Sequence, residues 1–196
     1  QDERPSFSSD ATTLSGDGEV PQIARGELSW FDKIGAGVTA QVFRGEWNGQ
    51  AVAIKQLHLN FVRRGAMAKQ QVAFCRETHV AAKICHNNLV QFYGISFDRQ
   101  PWLMITEFMS GGTVFDLLHG ENPVLLRWKQ RLRMCSDIAS AMDYLHKFNP
   151  QIIHRDLKSL NLLLSQAIAS SRDVPAVKVS DFGLAKMKED RDDWGM

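Results

Sequence analysis

Three short apolar runs in the second half of this 196-residue chain constrain it most: Gln151-Ile152-Ile153, Leu162-Leu163-Leu164 and Ala176-Val177-Lys178-Val179. Two acids, an amide and a lysine are interleaved with them, in Ile153-His154-Arg155-Asp156-Leu157-Lys158-Ser159-Leu160-Asn161 and, twenty positions later, Asp181-Phe182-Gly183. Read as short strands, the runs hold those polar tips close together at one edge of a core.

The preceding residues supply the remainder of an α+β plan. Gln1 to about Gly26 is rich in Ser, Thr, Asp, Gly and Pro and reads as a flexible linker or tail over residues 1–26. From Leu28 the character changes. Leu28-Ser29-Trp30-Phe31 starts a strand, Val42 to Trp47 is a second and Ala51 to Lys55 a third. Asn48-Gly49 between the last two is a hairpin signal, because both residues tolerate positive φ. Apolar residues at helical spacing (Val72, Ala73, Val80, Ala81, Ile84) predict a helix from about Ala66 to Ile84. Leu89 to Phe97 and Trp102 to Thr106 read as two more strands across the turn Asp98-Arg99-Gln100-Pro101. A short helix over Thr113 to Leu118 and a long one over Trp128 to His146 follow, the latter with Leu132, Cys135, Ile138, Ala139, Met142 and Leu145 as its expected buried stripe. Five strands and one helix first, mostly helix afterwards, make a two-lobed arrangement.

Composition narrows the function. An apolar share of 44% with 23% charged residues is that of a globular domain. A net charge of +1 gives no electrostatic reason to expect nucleic acid or an anionic membrane as partner. Cys75, Cys85 and Cys135 form no C-x-x-C pair and no even set, which favours a reduced, intracellular compartment. There is no apolar run of membrane-spanning length and no signal-peptide core. The chain begins at Gln1 without an initiator Met, as expected of a piece of a longer chain or a processed one.

Taken singly, the candidate residues have ordinary readings. A glycine-rich turn such as Gly35-Ala36-Gly37 occurs in many folds, Lys55 could be a lysine snorkelling from a strand end, and a helical Glu77 is commonly a solvated charge. Asp156, Asn161 and Asp181 together offer what phosphoryl transfer requires, a carboxylate to take a hydroxyl proton and oxygen ligands for magnesium.

The spelling of the motifs is more specific. His154-Arg155-Asp156-Leu157 with Asn161, followed by Asp181-Phe182-Gly183, resembles the catalytic loop and metal-binding motif of the eukaryotic protein kinases, and Val52-Ala53-Ile54-Lys55 resembles their third strand. The resemblance covers about Leu28 to Met187. The spelling His-Arg-Asp-Leu-Lys-Ser is similar to the tyrosine-kinase-like group of serine/threonine kinases, which includes the Raf and mixed-lineage branches. It implies an N-lobe over about 27–106 with a five-stranded antiparallel sheet and one helix, a hinge over 107–112, and a mainly helical C-lobe from 113 to 196 that is incomplete because no A-P-E motif follows. It implies ATP and Mg2+, a protein substrate and an intracellular location. By the same resemblance Asp156 accepts the hydroxyl proton, Lys158 neutralises the transferring phosphoryl group, and Lys55 holds the α- and β-phosphates while paired with Glu77. Asn161 and Asp181 bind magnesium. Gly35, Ala36, Gly37 and Ala40 form the loop over the phosphates, with Ala40 where the family has a third glycine. Ile34, Val42, Ala53 and Leu163 sandwich the adenine, Thr106 is a small gatekeeper, and Glu107 C=O and Met109 N–H meet the adenine edge. Arg155 implies activation by a phosphorylated loop. The rival expectation is a catalytically inactive kinase-like fragment that binds or interferes with partners.

Overall fold

The computed structural model describes residues 20–37, 40–58, 64–121 and 124–188. Its upper half is an antiparallel sheet of five strands in the order β1-β2-β3-β5-β4. The strands are β1 (Ser29–Ala36), β2 (Ala40–Trp47), β3 (Gln50–Leu57), β4 (Phe92–Ser96) and β5 (Leu103–Glu107). Asn48 and Gly49 take φ of 50° and 76° and close the β2–β3 hairpin, with Trp47 opposite Gln50. Both φ values are positive, as a two-residue turn matched to strand twist requires. Ala40, where the family has a third glycine, lies within β2 opposite Leu57 without a positive φ.

The sheet packs its two faces differently. Val52, Ile54, Leu103 and Ile105 are fully buried on one side with Ile23 and Leu28. The other side carries helix α1 (Arg64–Lys83) through Phe74, Ala81, Phe92, Ile95 and Met104. Of the apolar positions expected to face the sheet, Val80, Ala81 and Ile84 are buried, whereas Val72 and Ala73 are exposed. Phe74, Glu77 and Thr78 complete the inner face.

The chain ahead of β1 is not all tail. Ile23 N–H donates to Ile95 O and Ile95 N–H to Pro21 O, at 2.8 and 2.9 Å, so residues 20–27 lie as a strap along β4. The strap crosses Gly94 so closely that a Cβ there would stand 2.6 Å from Pro21 O. The expected boundary between 26 and 27 therefore falls inside a packed segment.

Below the sheet lie α2 (Val114–His119), α3 (Trp128–Lys147) and two small ladders, β7 (Leu162–Leu164) with β8 (Val177–Val179) and β6 (Ile152–Ile153) with β9 (Lys186–Met187). The three short apolar runs are thus β6, β7 and β8. Residues 89–91, expected to begin β4, instead bend down to this half, where Val90 N–H donates to Val179 O.

Helix α3 turns inward only the part of its predicted apolar stripe that holds Leu145, Ile138 and Met142. Gln130, Met134, Asp137, Ala141 and Leu145 are buried; Leu132, Cys135 and Ala139 are exposed, and Ile138 and Met142 half-buried. The reason lies in the partners of its two polar residues. Gln130 Nε2 donates to the carbonyls of Ser170 and Asp173, and the Asp137 carboxylate accepts Val177 N–H at 3.0 Å. Buried polar groups are tolerated when so paired. The long 165–176 connection is held by those bonds and by its buried Ile168.

Candidate functional site

A cleft of about 520 Å3 lies between the sheet and the lower half. Ile34, Gly35, Val42, Ala53 and Lys55 line its roof from β1 to β3, Thr106 to Met109 line its rear edge, and Leu163, Asn161 and Asp181 lie below. The roof residues reach it because β1, β2 and β3 alternate faces, so that Val42, Ala53 and Lys55 present to the underside of the sheet. Thr106 stands opposite Ala53 across the β3–β5 pairing, which sets the edge at the height of the roof.

Lys55 is the centre of charge. Its Nζ lies 2.6 Å from Glu77 Oε1 and 3.8 Å from Asp181 Oδ1. Helix α1 delivers Glu77 because Phe74 and Ala81, about one turn to either side, anchor it on the sheet. Burial alone would push the Lys55 ammonium down. The charges of Glu77 and Asp181, with their hydrogen bonds, outweigh it and hold the group above the ordinary lysine value.

The loop after β6 forms a second cluster. Lys158 Nζ meets Asp156 Oδ2 at 2.7 Å, and Asn161 Nδ2 donates to Asp156 O and Oδ2 at 2.9 and 3.0 Å. The bond from Lys158 is the leading cause holding the Asp156 carboxyl below the usual aspartate range; burial opposes it, and the bond from Asn161 and the charge of Lys158 add to the lowering. With both amide hydrogens of Asn161 directed to Asp156, its carbonyl oxygen is the atom left for a cation. His154 is buried, accepts Asp156 N–H at Nδ1, contacts Ser180 O through Nε2 at 3.0 Å and sets its ring edge against Phe182. It is a brace between the two motifs. Arg155 and Asp181 take φ of 64° and 65°, a conformation that costs free energy and persists where the surroundings enforce it. Arg155 Nε is tied to Leu184 O at 2.6 Å.

At the rear, Glu107 is fixed from behind. Its carboxylate takes Lys178 Nζ at 2.8 and 2.7 Å and Gln91 N–H at 3.2 Å. Met109 N–H has no hydrogen-bond partner among the described residues although Met109 is 7% exposed, so it is available to an acceptor in the cleft.

Ile34, Gly35, Val42, Ala53, Lys55, Glu77, Thr106, Glu107, Met109, Asn161, Leu163 and Asp181 therefore share one cleft. Ala36, Gly37 and Ala40 do not line it; Ala36 ends β1, Ala40 opens β2, and Gly37 N–H donates to Ala40 O. Asp156 and Lys158 lie outside the lining and join it through Asn161. Sequence reasoning missed the rim residues Ser110, Gly112, Thr113 and Asp116. The signal was available: Thr113 caps α2 by accepting Asp116 N–H and donates to Asp116 Oδ2, the signature of a Thr three residues before an acid.

The family description "Protein tyrosine and serine/threonine kinase" matches residues 28–195. The chain belongs to this kinase family. Among curated relatives of this kinase domain, the probable serine/threonine-protein kinase SIS8 of Arabidopsis thaliana is 39% identical over 163 residues, which are 83% of this chain and 15% of that protein. The serine/threonine-protein kinase CTR1 of the same plant is 37% identical over 176 residues, 89% of this chain and 20% of CTR1. A probable serine/threonine-protein kinase of Dictyostelium discoideum is 35% identical over 84% of the chain and 15% of its own length. The kinase domain described here thus spans 15–20% of the length of these relatives, all serine/threonine kinases by name, in keeping with the tyrosine-kinase-like group.

Proposed function

We propose that this chain is the catalytic part of a serine/threonine protein kinase that transfers the γ-phosphate of ATP to a protein hydroxyl. One observation carries the reading: a charged Lys55, paired at 2.6 Å with Glu77, faces Asp181 and shares its cleft with Asn161, which is itself bonded to Asp156. Ile34, Val42, Ala53 and Leu163 offer two apolar surfaces for a flat base, and Glu107 C=O and Met109 N–H an edge for it. Asp116 adds a rim carboxylate suited to sugar hydroxyls. Lys55 holds the α- and β-phosphates beneath Gly35 and the glycine-rich stretch of Ala36 and Gly37, and Glu77 keeps Lys55 in place.

The donor set fits magnesium: a carboxylate from Asp181 and an amide oxygen from Asn161 are hard oxygen ligands, and the ion keeps waters and phosphates for its other positions. Bound magnesium supplies neutralisation of the phosphate oxygens. Asp156 orients and accepts the proton of the attacking hydroxyl, and Lys158 places positive charge where the phosphoryl group passes. Its position two residues after Asp156, together with the relatives' names, supports Ser/Thr over Tyr as acceptor. An intracellular location belongs to the same reading, supported by three free cysteines; no helix among the described residues is long and apolar enough to cross a membrane.

The test is Mg-ATP phosphorylation of a generic Ser/Thr-containing protein by this chain beside Lys55→Met, with acid hydrolysis to identify the phosphorylated residue. Phosphoserine or phosphothreonine that disappears in the variant supports the proposal. Nucleotide binding without transfer by the chain or by a longer form would instead make this a binding module, and phosphotyrosine alone would overturn the acceptor assignment.

A further inference from the structure

Outside the cleft, one charged side chain is held entirely by aromatic rings. Arg44, on β2, places its guanidinium carbon 5.9 Å from the ring centre of Phe31 on β1 and 5.4 Å from that of Phe108 in the hinge. Among the described residues no acid pairs with it and no hydrogen bond from its side chain is formed. Phe31 lies where the β1–β2 ladder is irregular: the register shifts between Trp30 and Lys33 and again between Lys33 and Gly35. Phe108 lines the cleft between Glu107 and Met109. Arg44 therefore bridges the irregular part of the roof to the rear edge. The bridge is short because Arg44, Ala53 and Thr106 form one row across β2, β3 and β5.

We infer that Arg44 is a positioning residue for the nucleotide, setting the height of Ile34 and Val42 over the base by tying Phe31 to Phe108; the inference rests on the kinase reading of the cleft. The chemistry suits arginine. A guanidinium is flat, weakly hydrated and able to meet a ring at each face while its edge stays in water, whereas a lysine ammonium is a compact hydrated charge. Arg44 touches no reacting atom, so its effect belongs to binding and not to transfer.

The experiment compares Arg44→Gln, Arg44→Lys and Phe31→Leu in the full chain. Arg44→Gln raises the KM for ATP roughly threefold to tenfold, as expected for loss of two exposed cation–ring contacts, with kcat at saturating ATP and the unfolding midpoint unchanged. Arg44→Lys recovers less than half of the loss, and adding Phe31→Leu to Arg44→Gln costs nothing more. Unchanged KM, full recovery by Lys, or a fall in kcat that tracks a fall in midpoint overturns the inference. Amide hydrogen exchange along β1 and at Glu107, whose N–H is bonded to Gln91 O, needs no nucleotide and separates this inference from the kinase reading. Faster exchange in Arg44→Gln supports the tie even if the chain transfers no phosphate, and unchanged exchange sinks it even if the chain is an active kinase.

Discussion

Helices α1 and α3 are both 20 residues long, and each lays one face on a sheet or ladder, yet they are specified in different ways. The inner face of α1 is recognisable around Glu77: Phe74 and Ala81 fix the helix on the sheet and the acid follows them to Lys55. The inner face of α3 is partly polar, with Gln130 and Asp137 satisfied by backbone groups of the 165–176 connection and β8. Its more obviously apolar stripe, Leu132-Cys135-Ala139, faces away from the described core. Periodicity finds the face an apolar surface covers; it cannot find a face whose burial depends on distant backbone donors and acceptors.

Substitutions can break this contrast. In α1, Glu77→Gln removes a charge that acts on Lys55 and is expected to lower kcat/KM by on the order of 100-fold while shifting the urea midpoint little; steady-state kinetics beside equilibrium unfolding checks both. In α3 the expectation reverses. Met134, 6% exposed, should cost about 2–4 kcal/mol as Met134→Ala, whereas Leu132, 52% exposed, should cost under about 0.5 kcal/mol as Leu132→Ala. Equal losses at the two sites would mean that the outer stripe is covered. Next in size, Asp137→Ala strands the buried Val177 N–H and should cost about 1–3 kcal/mol by the same unfolding assay. Asp137→Asn keeps an acceptor and loses only the ion pair to the exposed Arg133, so it should cost under about 1 kcal/mol.

What the sequence showed divides along the same line. Asn48-Gly49 was legible because the turn's demand for positive φ is local, and the meeting of Lys55, Asn161 and Asp181 in one cleft because their motifs resemble those of the protein kinases. The strap over residues 20–27 was not, since its order comes from Ile95, more than seventy positions away, and its composition is that of a linker. The rim acid Asp116 was passed over because a cap reads first as a helix start. The fixing of Glu107 by Lys178 was equally hidden: neither residue's own neighbourhood announces a pairing that spans 71 positions. Lys178→Met should leave the Glu107 carboxylate held by Gln91 N–H alone and raise the KM for ATP a few-fold, a smaller loss than at Glu77 because the pair acts on the cleft only through the hinge.

The smallest expected effect lies in the second cluster and is read as a shift in pH. Asp156 is held below the ordinary aspartate range chiefly by the Lys158 hydrogen bond. A carboxyl whose folded pKa is depressed contributes stability above its unfolded value, and that contribution disappears as pH falls through the folded value. The same sign governs activity, since the ionised form is the one that takes the hydroxyl proton. The acid limb of kcat/KM attributable to Asp156 therefore lies below the usual aspartate value. Lys158→Ala removes the leading cause while leaving the Asn161 bond, so the limb should move toward higher pH, without reaching the position of a free carboxyl, alongside a lower plateau. Lys158→Arg, which keeps the charge, should leave the limb nearly in place. A limb unmoved by Lys158→Ala would show that Asn161 and the loop backbone set the Asp156 proton affinity, making this loop, like the inner face of α3, a structure whose chemistry rests on amide and backbone hydrogen bonds.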